Sequence, residues 1–146
     1  MADDLDLDVD VAQAVLAAQP FNTVVGAEIT VFGDQAAVLR LDIGDRHRQQ
    51  YGLVHGGVYA CLADNAVTFA AGTVLGANVI TTAVAINYLH GARHGVLEAR
   101  ARVVHHDARH AVCVAEIHII DDTNHETLCA IAHGTVMATR TNSAGP

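Results

Sequence analysis

The stretch from His55 to Gly72, HGGVYACLADNAVTFAAG, constrains this chain more than any other. Two glycines open it, apolar residues fill most of the rest, and a single acid, Asp64, sits in the middle. Val58, Cys61, Leu62, Ala66, Val67, Phe69, Ala70 and Val74 cover most sides of a helix. A helix apolar nearly all round belongs inside something. Ala60, Ala63, Ala66, Ala70 and Ala71 let neighbours come close. An ionised carboxylate in such surroundings is costly unless it is partnered. Asp64 and Thr68 fall four apart on one stripe, with Asn65 beside it, so a hydroxyl cap or a wet seam between subunits would meet that cost.

The rest of the chain surrounds this helix with strands. The apolar spacing predicts a short helix over 8–18, capped by Asp8 and ended by Pro20. Alternation predicts strands over 23–32 and 37–43, joined by a Gly33-Asp34 turn. A polar loop, DRHRQQ, precedes the long helix, and strands follow over 79–89, 96–105, 111–120 and 128–138. Antiparallel strands around one buried helix read as an α+β fold. The expected organisation is an acidic segment and short helix at 1–22, one domain at 23–140, and a tail at 141–146.

Composition narrows the function. Apolar residues make up 51% and charged residues 16%, too apolar for disorder and in keeping with surface covered by a second subunit. The net charge is −8 and no basic stripe runs along the chain, which argues against a nucleic-acid partner. No uninterrupted apolar run reaches the roughly eighteen residues of a membrane span. The start, MADDLDLDVD, is acidic where a secretory signal is basic, so a cytoplasmic protein is expected. Cys61, Cys113 and Cys129 have no metal or redox spacing and read as reduced thiols. His105, His106, Asp107 and His110 cluster in sequence, but successive strand residues point to opposite faces, so no metal is expected.

The glycines give the acid a context. The first turn of a helix carries unpaired N–H groups and the positive end of the dipole. The Gly56 amide can therefore polarise a carbonyl as an oxyanion hole does. Asp64 lies eight residues further on, roughly 12 Å along the axis at about 1.5 Å per residue. One chain cannot bring both groups to one carbonyl. Two antiparallel copies of the helix can.

The run QQYGLVHGGVYACLADNA, followed by TTAVAINYL, resembles the hotdog-fold acyl-CoA thioesterases of the PaaI-like (phenylacetate-pathway) group. The resemblance covers roughly 32–140, and its most specific part is G-x-x-H-G-G with an acid eight residues past the first helix glycine. It implies an antiparallel sheet wrapped around one long central helix, in a homodimer that often becomes a tetramer. It implies metal-free, cofactor-free hydrolysis of an acyl-CoA to free acid and coenzyme A. Asp64 matches the catalytic carboxylate, as nucleophile or general base, Gly56 the oxyanion amide, and His55 the histidine near the substrate. Gln49, or Gln50 one residue on, matches a side chain that orients carbonyl or water. Thr81 or Thr82 matches the hydroxyl that assists the carboxylate. Gly57, Asn65 and Thr68 fall along the substrate path. Where the family commonly shows Arg-Pro-Ala this chain has His90-Gly91-Ala92, so Arg93 is the expected replacement contact to the nucleotide end of coenzyme A. Two other readings share the fold. A hydratase acting on enoyl-CoA would carry a G-D-x-N-P motif, which is absent here. A non-catalytic acyl-CoA sensor would add a DNA-binding segment, and the amino-terminal piece is one short acidic helix.

Overall fold

Asp8 opens the first helix by accepting the Val11 N–H at 3.0 Å, which satisfies one of the free donors of the first turn. In the computed structural model, which describes residues 8–139, that helix (α1, Val9–Ala18) buries Ala12 and Leu16. Residues 1–7 and the expected tail at 141–146 lie outside the described residues. Leu16 is fully buried in the same core as the sheet, and Gln13 Oε1 accepts the Ile29 N–H at 2.8 Å. The first helix is therefore packed onto the sheet.

The expected strand over 23–32 is corrected. Pro20 does more than end α1: it starts a second helix, α2 (Pro20–Val25), at the position where its missing N–H costs nothing. Gly26, at φ 82°, closes that helix in the left-handed region. Buried Asn22 then pins the exit, bonding both the N–H and the C=O of Ala27 at 3.1 and 3.0 Å. The strand begins only at Glu28. The alternating apolar residues Val25, Ala27 and Ile29 are all buried, but from three different local structures.

Six strands form one antiparallel sheet: β1 (Glu28–Gly33), β2 (Ala36–Asp42), β3 (Val79–Tyr88), β4 (Val96–His106), β5 (His110–Ile120) and β6 (Glu126–Ala138), in the order β1-β2-β4-β5-β6-β3. Their alternation is as expected. Leu97, Ala99, Ala101 and Val103 of β4 and Cys113, Ala115, Ile117 and Ile119 of β5 face inward. Glu98 and Arg100 lie on the opposite face, where Arg100 is held between Glu98 (2.7 Å) and Glu126 (2.7 Å).

The long helix, α3 (Gly56–Leu75), lies in the curl of this sheet and touches every strand. It is long and apolar enough to cross a membrane by composition, but Leu62, Ala63, Ala66, Val67, Ala70 and Ala71 are fully buried within the fold. Its small residues allow a close approach. A Cβ on Gly134 of β6 would come within 2.7 Å of Val67. Only one face of α3 is covered in this way. Asp64 is exposed, with half-buried Cys61, Asn65 and Thr68 around it.

Candidate active site

The acid in the apolar helix is partnered. Thr81, near the start of β3, donates its hydroxyl to Asp64 Oδ1 at 2.7 Å. Thr68, one turn along α3, places its hydroxyl 2.8 Å from that of Thr81 and 2.7 Å from the Asp64 carbonyl oxygen. Thr68 donates to that carbonyl oxygen, and Thr81 to the carboxylate. Thr81 thereby ties down Oδ1, with the Thr68 hydroxyl against its own. Among the described residues Oδ2 receives no hydrogen bond and is left open.

A β-bulge selects Thr81 over Thr82. The register of β3 against β6 slips between Thr81, opposite Val136, and Ala83, opposite Thr135. Val84 and Ile86 pack toward the core, and an unbroken strand would carry Thr82 inward with them. The extra residue reverses the parity. Thr81 turns toward α3, and Thr82 donates to the Thr135 carbonyl at 3.1 Å instead.

At the other end of the helix, His55 is the cap. Its Nδ1 accepts the Gly57 N–H at 2.8 Å, so the ring proton sits on Nε2. Gly57 is glycine for this reason, since a Cβ there would press within 3.0 Å of the imidazole. The Gly57 amide is thereby occupied. The Gly56 amide has no acceptor among the described residues and is the open donor of the first turn. Tyr88, which the sequence reading left without a role, donates from its hydroxyl to the Gly56 carbonyl at 3.1 Å. Its ring packs edge-on against buried Tyr59, at 5.9 Å. Burial pushes the Tyr59 phenol up to about 12.

The loop before the helix carries the remaining candidates. Gln49 Oε1 accepts the Tyr51 N–H, which fixes the amide orientation and leaves only its NH₂ free to meet a ligand. Gln50 is exposed beside it. Arg93 donates to the Tyr51 carbonyl at 2.9 Å, while Arg48 grips the Arg93 carbonyl at 2.9 and 3.1 Å. Arg93 therefore holds this loop, with the rest of its exposed guanidinium turned outward. Asn65 contacts Cys61 Sγ at 3.7 Å and lines a cavity beyond Thr68.

Other reactive groups fall away. Burial, and next the charge of Asp64, hold the Cys61 thiol above its ordinary value, which makes it a poor nucleophile. Among the described residues no three His, Cys, Asp or Glu side chains gather closely enough to hold a metal. Asp107 is instead tied into its turn by the N–H groups of Arg109 and His110, both at 2.8 Å. What remains is an exposed carboxylate oxygen, an open amide, and apolar surface between them.

Known proteins are similar to this chain in sequence and in fold. Residues 51–125 match the family model described as the thioesterase superfamily. A 1,4-dihydroxy-2-naphthoyl-CoA hydrolase of Listeria monocytogenes is 31% identical over 114 residues, covering 77% of this chain and 89% of that protein. A thioesterase family protein from Silicibacter pomeroyi is 25% identical and superposes with a TM-score of 0.79, over 86% of this chain and 93% of that one. The E. coli PaaI protein of the phenylacetic acid degradation operon, at 22% identity, has the same fold, with a TM-score of 0.76 over 88% of this chain and 90% of that one.

Proposed function

This chain belongs to the thioesterase superfamily, with its hotdog fold and its thioester hydrolysis, and we propose that its substrate is an acyl-coenzyme A, cleaved as in the PaaI-like group. The observation that carries this reading is the Asp64 carboxylate, with Oδ1 tied by Thr81 and Oδ2 open on the uncovered face of α3. A relative named for hydrolysing an aryl-CoA supports the substrate class.

The chemistry runs on side chains, one amide and water. As a general base, Oδ2 takes a proton from water while the water oxygen bonds to the thioester carbon. The carbonyl electron pair moves to its oxygen, where the Gly56 N–H receives it. One such donor contributes roughly 3–4 kcal/mol. The Gln49 NH₂ is a second donor of the same sign. Collapse breaks the C–S bond, and the departing thiolate takes the proton held by Asp64. As a nucleophile, Oδ2 itself bonds to the carbon and coenzyme A leaves. Water then opens the mixed anhydride. Label found in Asp64 after a single turnover in isotopically labelled water establishes the anhydride route, with water entering at the Asp64 carbonyl carbon.

The roughly 12 Å between Gly56 and Asp64 along the helix requires two chains, so the active form is a homodimer in which each site takes Asp64 from one copy and Gly56 from the other. The free edge of β3 supports this. It is ten residues long, unpaired on its outer side among the described residues, and shows Ile80 and Tyr88 more than half exposed. An edge of that kind pairs with another strand unless it is protected.

The test is thiol release from phenylacetyl-, hydroxybenzoyl- and straight-chain acyl-CoAs, with wild type and Asp64→Ala side by side. Turnover in the wild type, and a loss of about a hundredfold to ten-thousandfold in the folded variant, is the expected result. A folded Asp64→Ala that hydrolyses at the wild-type rate sinks the mechanism.

A further inference from the structure

Gly72 is a glycine without a steric reason. It sits in the last third of α3, is buried, and has ordinary helical geometry. A glycine there weakens a helix relative to alanine. Gly57 of the same helix escapes that objection because a Cβ would strike the His55 ring. At Gly72 a Cβ would meet nothing within 4 Å outside the helix's own backbone. A buried residue with empty space beside it marks a void, and close-packed interiors leave few of those.

That void is part of a cavity of about 190 Å³. α1 walls it with Val11 and Val15, and α3 floors it with Asn65, Phe69 and Gly72. Its near end is Thr68, the residue that backs Thr81 and Asp64. Asn65, Thr68, Phe69 and Gly72 follow one another at helical spacing, so the cavity leads from the carboxylate along one face of α3.

We propose that this cavity receives the acyl group of the substrate, and that Gly72 sets how bulky that group can be. The inference rests on the acyl-CoA reading above and adds the acyl class. An apolar cavity of about 150 Å³ binds benzene, so this one suits a single aromatic ring or an aliphatic chain of similar bulk. The first helix then has a role in specificity, because it closes the cavity over the acyl group.

The measurement is kcat/KM for acetyl-, hexanoyl- and phenylacetyl-CoA in wild type and Gly72→Leu, with a thermal melt to show that the variant folds. Filling the void should lower the ratio of phenylacetyl to acetyl turnover by more than about tenfold. An unchanged ratio in a folded variant overturns the proposal and leaves the hydrolase reading standing. Should Gly72→Leu not fold, Gly72→Ala carries the test, with a smaller shift of the same sign. If wild type releases no thiol from any acyl-CoA, the hydrolase reading fails by itself. Equilibrium binding of the same three compounds then judges the cavity. Tighter binding of phenylacetyl-CoA that is lost in Gly72→Leu upholds it, and binding that ignores the acyl group or is absent overturns it.

Discussion

At Asp64 the decisive detail is which oxygen is held. Thr81 holds Oδ1 at 2.7 Å, which makes Oδ2 the open oxygen. Removing that hydroxyl leaves the carboxylate in place but free to rotate. Thr81→Val is therefore expected to lower kcat by about tenfold with little change in KM, since correct orientation is worth factors of that order or more. Thr81→Ser, which keeps the hydroxyl, should recover most of the rate. Steady-state kinetics on whichever acyl-CoA turns over fastest reads both. Equal rates in wild type and Thr81→Val would show that Thr81 only fills space.

Among the elements, the contact of α3 with β6 has the least slack. Gly134 lies beneath Val67, with the valine Cγ2 at 2.7 Å and its Cβ at 3.2 Å from where a side chain would start. Val67 is fully buried and cannot move aside. Gly134→Ala should therefore lift the helix off the sheet and cost about 1–3 kcal/mol, the usual penalty for overpacking a core. A thermal or denaturant melt checks this. Gly72 predicts the opposite sign of sensitivity, since a methyl there enters empty space. The same close approach explains the alanines of α3. Ala63, Ala66, Ala70 and Ala71 are small because the curled sheet comes near, and they are all fully buried.

For the whole molecule, the proposed mechanism predicts a site built from two copies. Gly56→Pro removes the amide donor at a helix position that accepts proline, and its neighbour His55 already has the extended backbone that precedes proline, with ψ 138°. Alone, Gly56→Pro and Asp64→Ala should each be inactive. Unfolded together and refolded, they should form mixed dimers in which one site carries both lesions and the other carries none. About a quarter of wild-type activity is then expected, as half the dimers are mixed and each has one intact site. No recovery, with mixed dimers verified by mass, would place Gly56 and Asp64 in the same site of one chain or outside the chemistry.

Much of this molecule follows from its linear order. Period-two alternation in Leu97–Val103 and Cys113–Ile119 marks the inward faces, because a strand has no freedom about which residues share a side. The apolar stretch around Asp64 identifies the core helix, and the spacing from Gly56 to Asp64 sets the amide and the acid far apart within one chain, since helical rise is constant. Other features depend on contacts between residues far apart in the chain. The bulge that turns Thr81 inward is a property of the β3–β6 pairing and leaves no mark on the TT pair itself. The resemblance sets Gly57 along the substrate path, and only the structure shows its amide taken by the His55 ring. α2 forms where alternation reads as strand, because Pro20, Gly26 and the two bonds from Asn22 to Ala27 favour the turn of helix. The void at Gly72 is the clearest case. A glycine in the sequence says only that a side chain is missing, and its surroundings are decided by how α1, α3 and the sheet pack around it.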